Sequence, residues 1–136
     1  MADLVIVASS VASGSGVNVL RGNNAGATIT AGQLVYLDSS GLWQLSDANS
    51  AAAAKTIGGV SLHASLNGQP LAVQVDGAIT IGATVAVGTI YVLSGTAGGI
   101  APSTDLASGM TTCILGVATS ATVITMKVNN SGVAVP

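Results

Sequence analysis

The groups able to do chemistry in this chain are few and far apart. There is one His, His63, one Cys, Cys113, five Asp and no Glu. Serine hydrolysis needs Ser, His and Asp in one hydrogen-bonded row. No stretch sets His63 beside a nucleophile, and no Gly-x-Ser-x-Gly elbow occurs. Glycoside hydrolysis needs two converging carboxyls. Asp38, Asp47, Asp76 and Asp105 instead fall in turns or at helix starts, where Asp bonds the backbone ahead of it. Metal spacing of the His-Glu-x-x-His or EF-hand kind is absent. The metal geometry left open is three copies of one residue meeting on an oligomer axis. The glycine-rich stretches at Gly14/Gly16 and Gly95/Gly98/Gly99 lack a phosphate-loop context and read as turns. Cys113, in Thr-Thr-Cys-Ile-Leu, reads as a small buried hydrophobe with no intrachain disulfide partner. No catalytic, cofactor-binding or metal-ligating residue is named by the sequence, and the expectation is a protein that is not an enzyme and holds no cofactor.

Charge explains what kind of surface remains. Only 6% of residues are charged, against about 25% in ordinary soluble domains. The cations are Arg21, Lys55 and Lys127, too scattered to neutralise a row of phosphates, so no nucleic-acid partner is expected. Hydrophobic residues reach 49%, yet Gly, Ser, Thr or Asn break every apolar run well short of the roughly 20 residues a membrane helix needs. No membrane partner and no secretory signal are expected. A surface of Ser, Thr, Asn, Gln and Gly suits strands and turns, and weak charge repulsion favours association of copies.

The elements that carry these residues read as short strands. Residues 1–24 form an N-terminal arm with outer strands, led by the β-branched run Leu4, Val5, Ile6, Val7 and broken at Ser13-Gly14-Ser15-Gly16. Residues 25–136 form a single β domain. Leu34-Val35-Tyr36-Leu37, the Asp38-Ser39-Ser40-Gly41 turn and Leu42-Trp43-Gln44-Leu45 make a hairpin. Ser46 to Lys55, with four successive Ala, is the best helix candidate, and Ser103-Thr104-Asp105 opens a second short turn of helix.

A faint duplication runs through the chain, with units at about 27–81 and 82–130. Tyr36-Leu37-Asp38-Ser39 aligns with Tyr91-Val92-Leu93-Ser94, and Ile57-Gly58-Gly59-Val60-Ser61 with Ile114-Leu115-Gly116-Val117-Ala118. The expected fold is all-β: a small antiparallel β-barrel or sandwich of two pseudo-repeated β-units, with an N-terminal arm and at most one or two short helices. Tyr36 and Trp43, the bulkiest side chains of the hairpin, are candidate anchors of a subunit interface, since such rings are enriched at hot spots. Packing within the hairpin or core is the competing role.

On those same residues the chain resembles head decoration, or cement, proteins of tailed phages. The likeness rests on Ala31-Gly32 through Tyr36-Leu37-Asp38-Ser39-Ser40-Gly41 with Trp43, then Ile57-Gly58-Gly59-Val60. It continues in Tyr91-Val92-Leu93-Ser94 through Ala97-Gly98-Gly99-Ile100 and Leu115-Gly116-Val117-Ala118. It covers roughly residues 25–130. It implies a homotrimer on the outer capsid surface of a virion, bound to the major capsid protein, with the arm (Leu4, Val5, Ile6, Val7) reaching along the shell. No catalytic residues are implied. The alternative is a receptor- or glycan-binding β-module of a tail fibre or spike, since such modules show the same pattern; it needs exposed aromatics or Asp/Asn in a groove.

Overall fold

The β-branched runs pair into two antiparallel sheets, one of them curled into a half-barrel. The computed structural model describes residues 3–49 and 54–136. The strands in chain order are β1 (Val11–Ser13), β2 (Val19–Leu20), β3 (Leu34–Leu37), β4 (Trp43–Leu45), β5 (Gly59–Ser61) and β6 (Val73–Gln74). They continue as β7 (Gly77–Ile81), β8 (Ile90–Leu93), β9 (Ile100–Pro102), β10 (Thr111–Ala118) and β11 (Val123–Ala134). Among the described residues no helix reaches seven residues. The fold is all-β, as the alternation of apolar and polar positions requires.

One connectivity is used twice. The smaller sheet runs β2-β6-β5-β3-β4, and the larger runs β1-β7-β11-β10-β8-β9. Setting β1 aside, each strand of the first order is five places earlier in the chain than its counterpart in the second. The ladders also match. Val35 pairs with Gly59 in one sheet and Tyr91 with Gly116 in the other. Gly59 and Gly116 do the same work: a Cβ on Gly59 would collide with the Gln74 carbonyl, and one on Gly116 with the Thr125 carbonyl. Only glycine lets the neighbouring strand come this close.

Two details depart from the sequence reading. Strand β7, placed in the first unit, pairs with β11 and β1 in the larger sheet. And ladder position sets Val35, not Tyr36, against Tyr91. Tyr91 is buried in the core between the sheets, whereas Tyr36 is half-buried.

Burial follows from these faces. Leu34, Val60 and Ile57 of the smaller sheet meet Ile79, Ile81, Tyr91, Leu93, Leu115, Ile124 and Met126 of the larger in one core. The other face of the smaller sheet holds Val35, Trp43 and Val73, capped by Ala25, Ile29 and Leu71 from the flanking loops. Each such aliphatic side chain contributes about 1.5–3 kcal/mol on full burial. Buried Gln74 fixes the passage between sheets: its Nε2 donates to the carbonyls of Asp76 and Ala78, both 2.9 Å away.

The helix expected over Ser46 to Lys55 lies partly on residues 50–53, outside the described residues. Within the described part, Asp47 accepts a bond from the Asn49 N–H (2.9 Å), an Asp-led turn. The second expected helical turn is a single 3-10 turn, Ser103–Asp105.

Candidate functional site

His63 sits at the surface with both ring nitrogens occupied. The Ala72 N–H donates to Nε2 at 3.0 Å, so Nε2 carries the lone pair. The proton then resides on Nδ1, which faces the Ala64 carbonyl at 2.9 Å. A general base or metal ligand needs a free lone pair, and this imidazole spends its lone pair on its own backbone. The ring acts as a bracket between residues 63–64 and Ala72.

The carboxylates are likewise occupied by local structure. Asp38 Oδ1 accepts from the Ser40 and Leu42 N–H groups, at 2.9 and 3.0 Å, and Oδ2 from Gln44 Nε2 at 2.9 Å. Foremost the Leu42 bond, then the Gln44 bond, hold its carboxyl below the ordinary value. Asp76 accepts from the Asn18 N–H and side-chain amide. Asp3 accepts from the Ser94 hydroxyl at 2.7 Å. Among the described residues no three His, Cys, Asp or Glu side chains gather where a metal ion could sit. Cys113 is buried, its thiol 2.9 Å from the Lys55 carbonyl. Burial pushes the thiol up, away from the reactive thiolate.

Trp43 does not serve as an exposed interface anchor. It is only 2% exposed and fills the second core beside Val35 and Val73. Its hairpin strand is covered from outside, since Asn24 and Gly26 bond the backbone of Trp43. Its Nε1 finds no acceptor among the described residues. Tyr36 is half-buried on the same hairpin.

The arm lies along its own domain. Leu4 N–H donates to the Ile100 carbonyl and Val7 N–H to the Gly82 carbonyl, both at 2.8 Å. Leu4 and Ile6 pack on the main core, whereas Val5 and Val7 are 87% and 56% exposed. The period of two is that of an extended strand with one face seated. Gly32 and Gly82, both with positive φ, line the seat: a Cβ on Gly32 would strike Ile6, and one on Gly82 the Val7 carbonyl.

A groove of about 750 Å³ lies elsewhere. Ala12, Ser13, Arg21, Asn24, Leu62, His63 and Leu71 are among its lining residues. It gathers four separate stretches of chain, 12–13, 21–24, 62–63 and 70–72. No local motif marks it, so sequence reasoning missed Arg21 and Ser13; an isolated Arg in a chain with three cations was the only available hint.

No protein-family model, curated protein or solved structure matches this chain.

Proposed function

We propose that the protein is a non-enzymatic structural virion component, a decoration protein that binds the outer surface of a phage capsid and stabilises it. The observation that carries this reading is the arm. It is an extended segment seated by Leu4 and Ile6, with Val5 and Val7 turned fully outward beside it. An exposed apolar row on extended backbone suits docking on a strand edge of the major capsid protein. Support also comes from a surface with few ions to desolvate on contact. Association of copies as a homotrimer would add avidity to individually weak contacts. A glycan-binding module draws less support, because Trp43 and Tyr91 are buried and Tyr36 is half-buried, which leaves no fully exposed tyrosine or tryptophan ring for a sugar.

The test is co-sedimentation with expanded, undecorated capsids, with the mass of the free protein taken by analytical ultracentrifugation. The expected result is saturable binding by a trimer. Val5→Ser with Val7→Ser should weaken binding while leaving the fold intact, because neither side chain is buried. Undiminished binding by that double variant, or no binding by the parent, would sink the reading.

A further inference from the structure

The groove at Arg21 is walled on one side by an open strand edge. The Gly14 N–H donates to the Ala78 carbonyl at 2.9 Å, and β1 pairs with β7 as Val11↔Ile81, Ala12↔Thr80 and Ser13↔Ile79. Bonded and non-bonded pairs alternate in an antiparallel ladder, so Ala12 bonds β7 while the peptide groups of Val11 and Ser13 point away from it. The Val11 N–H is spent on the Ala8 carbonyl. The Val11 carbonyl and both peptide groups of Ser13 have no partner among the described residues.

Across the groove, the exposed Arg21 guanidinium has no hydrogen-bond or ion-pair partner among the described residues, and no carboxylate lines the groove. The lining also includes the apolar Leu62 and Leu71. An edge offering main-chain bonds, apolar lining residues and one available cation together describe a receptor for extended backbone bearing an acid.

We propose that this groove takes an extended acidic peptide segment of another protein, which adds as a strand to β1 and sets a carboxylate against Arg21. A second copy of the chain is a poor occupant, since Asp3, Asp38, Asp47 and Asp76 already accept bonds within their own subunit and Asp105 is engaged as well. A sugar is a poor occupant too, because the one ring in the lining, His63, is pinned by its own backbone. The inference does not rest on the capsid reading and is tested on the isolated protein.

The experiment titrates ¹⁵N-labelled protein with acetylated, amidated hexapeptides of alternating Thr and Val. One Asp is placed at each position in turn, and Asn-matched peptides serve as controls. The Ser13 amide and Arg21 Nε–H signals should shift with the Asp peptides. Asn peptides should bind roughly tenfold more weakly, as expected for loss of a charged hydrogen bond. Arg21→Gln should abolish the preference for Asp while the rest of the spectrum stays unchanged. Ser13→Pro, which removes the open N–H, should weaken both peptide sets alike. Equal binding of Asp and Asn peptides, or shifts that miss Ser13 and Arg21, would overturn the proposal. So would concentration-dependent shifts at these residues without peptide, which indicate self-association, or a response to glucuronic acid with the peptides silent.

Discussion

The Asn130 side chain behaves as a strand partner of Ile57. The Ile57 N–H donates to Asn130 Oδ1 at 2.8 Å, and Asn130 Nδ2 donates back to the Ile57 carbonyl at 3.1 Å. The amide thereby closes a two-bond ring of the kind formed in a β-ladder. It joins β11 of the larger sheet to the residues that enter β5 of the smaller. Ile57 is nearly fully buried, so water cannot replace these bonds. Asn130→Ala should cost about 1–3 kcal/mol, the penalty for stranded buried peptide groups, read from urea unfolding. Asn130→Asp should not rescue, because it keeps the acceptor but turns an anion on the Ile57 carbonyl.

Gly59 and Gly116 occupy matching places in the two sheets and should respond alike. Gly59→Ala drives a methyl into the Gln74 carbonyl and Gly116→Ala drives one into the Thr125 carbonyl. Backbone cannot move aside as a flexible side chain would. Each change should cost at least about 1–3 kcal/mol by overpacking. Gly22→Ala, with nothing within 4 Å of the new methyl, should stay within about 0.5 kcal/mol of the parent. Thermal melts of the three variants check the contrast.

Asp38 gives the stability an acid limb of known sign. Its folded carboxyl lies below its ordinary value, chiefly through the Leu42 N–H and then Gln44. Such a group stabilises the fold fully above its unfolded pKa, about 3.9, and loses that contribution as pH falls through the lower folded value. The melting temperature of the parent should therefore exceed that of Asp38→Asn by a constant margin above about pH 5. The margin should shrink steadily as the pH drops below about 4. A margin independent of pH would mean that the hydrogen bonds, rather than the charge, hold the turn.

Trp43 should matter to folding and not to assembly. Trp43→Ala empties the centre of the second core and should cost about 3–5 kcal/mol. Trp43→Phe should cost less, because it also removes an indole N–H that has no acceptor among the described residues. Sedimentation of the folded Phe variant should give the same mass as the parent. A lower mass would return Trp43 to an interface.

The sequence by itself determined what is local. Asp38 and Gly41 specify the hairpin turn, because a carboxylate bonds the N–H groups just ahead and glycine takes a φ of 78° without strain. Alternating Val, Ile and Leu specify strands, and the scarcity of charge excludes broad classes of partner. Which strand meets which was decided only in three dimensions. The sequence placed β7 with the strands before it, yet Gln74 and Asp76 turn the chain between sheets just ahead of it, and Ile79 then pairs across to Ile124. The matched tyrosines were misleading for a related reason: identity of residue says nothing of ladder register, and Tyr36 stands opposite Gln44 whereas Tyr91 stands opposite Pro102. Trp43 looked like an anchor because its hydrophobicity is legible, whereas the cover of Ala25 and Ile29 above it comes from a separate loop. The open edge at Ser13 and the Arg21 guanidinium, without a partner among the described residues, meet for the same reason, since folding alone brings four distant stretches to one groove.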